Sequence, residues 1–463
     1  MQTNDIEMEV LTPEEKRENR RQRRIRNQRI AIVSLILSIV VFVGLVTGGI
    51  FLINNKIEIM KQQQEIAEQL AQMEEENVEE TVEEIVAEGI EESTEGIDDQ
   101  SLEGIAEQEQ YTQAEMLDDV VEAIISEMTL EEKVAGLFVV TPEAITGVNT
   151  ALQAGDGTKK ALEKYSVGGL IYSAKNIQSE DQIKKMIENS ATYSKYPLFF
   201  AVSEEGGKTS PLAEKLKLDN VGSMADIGSS GDSAKAYETM KTIGTYMAGY
   251  GFNLNFAPVA DVLTNEKNKT IGNRSYGSDA TVVAGMVTSA MNGLEETGVT
   301  ACIKYFPGLV SSTDDTHNGL PVVDKSLEEL KQTELVPFVS AIENGADMIM
   351  VGHVALPQVV GDNTSATMSK EVISDLLRSE LGFNGVVITD AMNTEAVTEY
   401  YSSDEVAIRA FKAGADMVLM PEDFELAYKG VIDAVKDGTI SEDRINNSLK
   451  RVYRIKYADS VGE

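Results

Sequence analysis

An aspartate and a histidine, Asp315 and His317, stand two residues apart in the stretch Ser312–Val323, STDDTHNGLPVV. That stretch is too polar and too rich in turn residues to be a strand or a buried helix. The chain has only two histidines. An imidazole titrates near neutrality, so it can give and take a proton, and a carboxylate beside it can orient it and stabilise its charged form. The same pairing is also a common loop hydrogen bond. What surrounds it in the fold decides between the two.

From about Asp118 to Tyr457 short apolar runs alternate with helical stretches. The runs are AGLFVV (135–140), VGGLIYS (167–173), PLFFAVS (197–203), FNLNFAPV (252–259), VTACIKYF (299–306), ADMIMVG (346–352), GVVITD (385–390) and ADMVLM (415–420). Each is apolar on both faces, as a parallel strand covered on both sides must be. The intervening SEDQIKKMIENSATYS and SKEVISDLLRSELG begin with Ser followed closely by acid, which suits an N-cap and the helix dipole, and the second ends in Leu-Gly, a C-cap signal. Eight such units predict an α/β fold, a (β/α)8 TIM-type barrel, over an open doubly wound sheet. No Gly-rich dinucleotide fingerprint follows the first run.

The active site of such a barrel lies at the C-terminal ends of its strands. The residues there are Ser203 to Glu205 after the third run, Asp261 after the fourth, Lys304 and Tyr305 on the fifth, His353 after the sixth, Asp390 at the seventh, and Glu422 and Asp423 after the eighth. Asp315 and His317 follow the fifth run. Both histidines therefore fall on one face.

Composition narrows the partners. The formal net charge is -37, which excludes nucleic acid as a partner, because phosphate binding needs Lys and Arg. Cys302 is the one cysteine, so no internal disulfide forms. Ile30 to Ile53 carries no charge, and at about 1.5 Å per residue it spans a hydrocarbon core of about 30 Å. It is longer than a signal-peptide apolar region and lacks a clear small-residue cleavage site. Arg and Lys cluster before it, from Lys16 to Arg29, and the positive-inside rule then puts everything after it outside the cell. From Gln62 to Glu132 there is no Lys or Arg, the composition of a solvated, self-repelling spacer. Ile59, Ile66 and Met73 recur every seven residues, with Leu70 between the last two, a short heptad pattern through which the stalk could self-associate. The expected organisation is a basic cytoplasmic segment (1–29), a single transmembrane helix (30–53), an acidic stalk (54–117) and a barrel domain (118–463).

Across about residues 121–457 the chain resembles family 3 glycoside hydrolases. MTLEEKVAGLFVV, VGGLIYSAKNI, EEGG, NFAPVADV, NRSYG, IKYFPG, DDTHNGLPVV and LGFNGVVITDAMNTEAV stand in that family's order, and the chain looks most like the bacterial β-N-acetylhexosaminidases built on the barrel alone. The resemblance implies a retaining mechanism with Asp390 as nucleophile and His317, paired with Asp315, as acid/base. That is coherent chemistry: a carboxylate on one face of the sugar and a proton donor on the other. It implies sugar contacts at Arg274 and Lys304, and places Glu205, Asp261 and His353 at family positions, the last two either touching sugar or closing a strand as satisfied polar groups. No metal or other cofactor is expected, since neither histidine has another His or a Cys at ligand spacing.

Some family positions differ. Tyr305 and Leu309 stand where the family has histidines. Ser203 replaces an aspartate that holds the sugar's distal hydroxyls, and Pro211 replaces an arginine. Each lost charge-assisted hydrogen bond costs about 1.5–3 kcal/mol. The expected function is a membrane-anchored, extracytoplasmic glycosidase that removes terminal β-linked N-acetylglucosamine from glycans such as cell-wall muropeptides. The alternative is a catalytically impaired relative that binds glycan or serves as a scaffold. A β-glucosidase is disfavoured by the Asp–His pair and by the chain stopping soon after SEDRINNSLKRVYRIKY.

Overall fold

The computed structural model describes residues 114–310, 312 and 319–458. The apolar segment 30–53, nearly all of the expected stalk, and both Asp315 and His317 lie outside the described residues.

Each of the eight apolar runs forms a strand: β1 (Phe138–Val140), β2 (Gly169–Ile171), β3 (Phe199–Val202), β4 (Leu254–Asn255), β5 (Thr300–Phe306), β6 (Met348–Val351), β7 (Val386–Thr389) and β8 (Val418–Leu419). They pair in parallel in the order β7-β6-β5-β4-β3-β2-β1-β8. The remaining edge closes where Ile388 of β7 bridges Met417, just before β8. Met417 donates its N–H to the Val387 carbonyl at 3.0 Å, and Thr389 donates to the Met417 carbonyl at 3.1 Å. The result is a near-closed barrel. Its strands are buried from end to end at β1, β3, β6 and β7, as runs apolar on both faces require.

The strands are shorter than the runs that encode them. β4 keeps only two residues of the run 252–259. Pro258 has no N–H to give the ladder, and pairing resumes beyond it as an isolated bridge between Val259 and Lys304. The helix Glu180–Tyr193 starts as its sequence predicts, with Ser179 Oγ accepting the Gln182 N–H at 3.3 Å. SKEVISDLLRSELG is wound as a π-helix over Glu371–Glu380, which the sequence does not signal. Ser369 still caps it, accepting the Val372 N–H at 3.3 Å, and Gly382 ends it at φ +73°.

A helix over 114–127 straddles the expected stalk–barrel boundary. It buries Val121 and Ile125 in the barrel's core. Among the described residues no helix is long and apolar enough to cross a membrane. At the N-terminal end of the strands, fully buried Asp416 draws Arg378, Arg444 and Arg451 together. The functional candidates stand at the other end.

Candidate active site

Glu205, just past β3, is the centre of a charged cluster. Its side chain is 2% exposed. Arg274 Nε donates to its Oε2 at 2.7 Å and Arg274 Nη2 to its Oε1 at 2.8 Å, a bidentate pair. Lys304 Nζ lies 2.5 Å from the same Oε1. Burial alone would push the Glu205 carboxyl up, but the Lys304 and Arg274 charges outweigh it and hold the group at about 2. For Lys304, burial works against the ammonium and Glu205 outweighs it, so its pKa is raised.

Lys304 and Tyr305 are neighbours on β5. In a regular strand they would point to opposite faces. The β5–β6 pairing shifts register between Lys304 and Phe306, so Tyr305 is the extra residue of a bulge. Both side chains thereby reach the same cluster. Arg274 Nη2 donates to the Tyr305 hydroxyl oxygen at 2.6 Å, and the guanidinium carbon lies 5.4 Å from the ring centre. Burial raises the phenol's pKa against the opposing charges of Lys304 and Arg274, so it stays a neutral O–H. Arg274 comes from the short turn Gly272–Arg274 and spends an Nη1 hydrogen on the Thr270 carbonyl at 3.1 Å.

Asp390 follows β7. Its N–H continues the ladder to the Val351 carbonyl at 2.8 Å, and its Oδ1 accepts the Ala391 N–H at 2.8 Å. It stands at the same end of the barrel as Tyr305 and His353, near enough for its charge to act on both. Among the described residues its Oδ2 has no partner.

His353 and Asp261 stand behind this floor. His353 is fully buried. Its Nε2 lies 3.0 Å from the Ala391 carbonyl, which can only accept, so that nitrogen carries the hydrogen. Nδ1 then accepts from the Thr367 hydroxyl at 3.0 Å. Burial lowers the ring's pKa against the pull of Asp390, consistent with a neutral imidazole. It fixes the backbone after Asp390 and has no nitrogen left for a sugar. Asp261 is 1% exposed. Its Oδ1 accepts the Leu309 N–H at 2.5 Å and the Val310 N–H at 3.2 Å, and its Oδ2 the Tyr305 N–H at 3.3 Å. Burial pushes its carboxyl up to about 6 against those bonds. Asp261 therefore holds the turn that leads into the segment carrying Asp315 and His317. The family-position substitutions divide likewise: Ser203 and Tyr305 are half-buried at strand ends, Leu309 is buried, and Pro211 opens the helix Pro211–Leu216. Glu422 and Asp423 are exposed; Asp423 caps the helix Phe424–Lys436 by accepting the Leu426 N–H at 2.9 Å.

Sequence reading passed over Asn255 and named Glu204 only within the stretch Ser203 to Glu205, with no role of its own. Glu204 is fully buried; it accepts the Leu212 and Ala213 N–H groups at 2.8 and 3.1 Å and the Tyr246 hydroxyl at 2.8 Å. Asn255 exchanges two 2.9 Å hydrogen bonds with the Glu204 backbone. Together they fix the loop on which Ser203 and Glu205 stand. The signal was legible: an asparagine inside an otherwise apolar strand needs a partner. Among the described residues no three His, Cys, Asp or Glu side chains converge as metal ligands would.

Residues 129–455 match the family described as the glycosyl hydrolase family 3 N terminal domain. The chain is similar to the beta-hexosaminidase A of Pseudoalteromonas piscicida, 30% identical over 324 residues, covering 64% of this chain and 54% of that protein. It spans about half of that relative's length. It is 32% identical over 307 residues to the beta-hexosaminidase of Idiomarina loihiensis, covering 65% of this chain and 90% of that one. Among solved structures, the family 3 beta-N-acetylglucosaminidase from Paenibacillus sp. str. FPU-7 superposes with a TM-score of 0.67 at 36% identity, over 73% of this chain and 64% of that chain.

Proposed function

The chain belongs to glycosyl hydrolase family 3, and from that membership we propose that it is a retaining β-N-acetylhexosaminidase. It acts on terminal β-linked N-acetylglucosamine in glycans such as cell-wall muropeptides, outside the cell, on the anchor at 30–53. The observation that carries the reading is Asp390 after β7, with one carboxylate oxygen unspent among the described residues, at the barrel end that also holds the donors of Lys304, Arg274 and Tyr305. The hexosaminidases among its relatives support the sugar class.

In the proposed mechanism Asp390 Oδ2 attacks the anomeric carbon as the bond to the leaving oxygen breaks. His317, held by Asp315, protonates that oxygen. The neutral imidazole then takes a proton from water, which attacks the anomeric carbon and releases Asp390. His353 keeps the Ala391 N–H on Asp390 Oδ1, so one oxygen is tied and the other is left to react.

The test is turnover of a chromogenic β-N-acetylglucosaminide and of a muropeptide mixture, with a fluoro-sugar to trap the covalent intermediate. Release of one aglycone per protein chain, with the added mass on the peptide containing Asp390, is the expected result. Turnover no greater than that of Asp390→Asn on every substrate would sink it. The second reading, a glycan-binding or scaffold protein, draws on the substitutions at Ser203, Tyr305, Leu309 and Pro211. It requires that Asp390→Asn and His317→Ala leave the cellular phenotype unchanged.

A further inference from the structure

The hydrogen-bond accounts of the site do not balance, and the imbalance has one sign. Lys304 carries three N–H hydrogens and spends one on Glu205. Its side chain is only 2% exposed, so solvent has little access to the other two. Arg274 spends its Nε hydrogen and one Nη2 hydrogen on Glu205, the second Nη2 hydrogen on Tyr305 and one Nη1 hydrogen on Thr270, leaving one. Tyr305 accepts from Arg274, so its own O–H remains to be given. Ser203 adds a neutral hydroxyl at the end of the β3 run.

The acceptors are nearly all in use. Both Glu205 oxygens are engaged by Arg274 and Lys304, both Asp261 oxygens by backbone N–H groups and His353 Nδ1 by Thr367, which leaves one lone pair each on the buried Glu205 Oε2 and Asp261 Oδ2. Among the described residues the one unspent anionic oxygen is on Asp390, and the reaction needs it.

A sugar hydroxyl must donate as well as accept, and apart from Asp390 this floor keeps anionic capacity only on the nearly fully buried Glu205 and Asp261. A carboxylate only accepts, and would meet buried N–H groups that are costly to leave unpaired. We infer that the site takes a sugar bearing a carboxylate on the edge that faces Lys304, Arg274, Tyr305 and Ser203. This rests on the glycosidase reading and narrows its substrate class.

Three aryl β-glycosides of N-acetylglucosamine test it: unsubstituted, with a carboxyethyl ether on either ring hydroxyl farthest from the glycosidic bond, and with the uncharged ethyl ether at the same position. Wild type should turn over a carboxyethyl sugar with a kcat/KM about 10-fold or more above both others. Ser203→Asp adds the missing acceptor and a negative charge, so it should reverse that order in favour of the unsubstituted sugar. A wild type that prefers the unsubstituted or ethyl sugar, or a Ser203→Asp variant with the wild-type ratio, overturns the inference and leaves the glycosidase reading intact. If no glycoside is cleaved, that reading falls. Calorimetric titration of the free sugars then decides the inference: tighter binding of a carboxyethyl sugar, lost in Ser203→Asp, supports it, and equal binding overturns it.

Discussion

Glu205 and Asp416 are both buried carboxylates held by arginine, at opposite ends of one barrel, and they are satisfied differently. Around Asp416 the carboxylate is saturated, with two partners on each oxygen. Arg378 gives Nη1 to the Phe383 and Gly385 carbonyls and Nη2 to Asp416, while Arg444 gives Nε to Phe411 and Nη2 to Ala415. Asp416 also takes the Val387 N–H at 3.0 Å and the Ser448 hydroxyl at 2.8 Å. Around Glu205, buried Lys304 and Tyr305 keep hydrogens unspent. The first arrangement ties helices to strand beginnings, and the hydrogens it leaves over belong to arginine side chains that reach solvent, 14% to 32% exposed. The second is complete only when something else arrives. In a (β/α)8 barrel that is the division expected between the two faces.

Four changes break or sharpen this contrast. The largest effect belongs to Asp416→Ala, which leaves three arginines without their anion. It should cost about 3–5 kcal/mol in urea unfolding, with kcat and KM of the folded fraction at wild-type values. A fall in kcat beyond the folded fraction would erase the distinction between the two ends.

Next comes the acid limb of stability. Glu205 is depressed from 4.5 to about 2. A depressed carboxyl adds stability that is fully present above its unfolded pKa and is lost as pH falls through its folded one. The loss should run from about pH 4.5 down towards pH 2 and amount to on the order of 3 kcal/mol. Glu205→Gln should lack this contribution, so the stability gap between wild type and variant should close as pH falls through that window. A gap constant with pH would mean that Glu205 is not held by its cations.

Third, Lys304→Met keeps an unbranched apolar stem one atom shorter and removes the donors. It should lower kcat/KM by about 10- to 100-fold, the equivalent of one charge-assisted hydrogen bond. The matched Arg378→Met should lower stability and leave kcat/KM of the folded protein unchanged.

The contrast also explains what could be read from sequence. All eight strands were legible, because burial on both faces writes an unbroken apolar run. Strand lengths were not, because Pro258 and the bulge at Tyr305 act through pairing rather than composition. Lys304, Tyr305 and Glu205 could be named as candidates from their places at strand ends. That Lys304 and Tyr305 reach one cluster could not, since adjacent strand residues ordinarily face apart. Asp261 and His353 read equally as sugar contacts or as polar groups closing a strand, because counting their hydrogen bonds, all of them to the protein, needs coordinates. The Asp416 cluster escaped notice: Arg378 comes from one helix and Arg444 and Arg451, seven residues apart, from another, and nothing in either helix points to the aspartate before β8.

The smallest change is the most discriminating, because it removes one hydroxyl at each end. Tyr305→Phe takes away the oxygen that receives Arg274 Nη2 at 2.6 Å and the O–H it leaves free. Ser448→Ala takes away a fully buried hydroxyl that donates to Asp416 and accepts from Arg444. Each deletion should be worth about 0.5–1.5 kcal/mol, so size alone cannot separate them. The observable that registers it should. Ser448→Ala should lower unfolding free energy and leave kcat/KM untouched, since its donor and acceptor both face the protein. Tyr305→Phe should lower kcat/KM by up to about 10-fold with a smaller change in stability, since the ring still fills its place and the lost O–H faces substrate. If Tyr305→Phe instead loses stability alone, its hydroxyl belongs to the scaffold, and the donor-rich floor beside Asp390 is one group poorer than the geometry indicates.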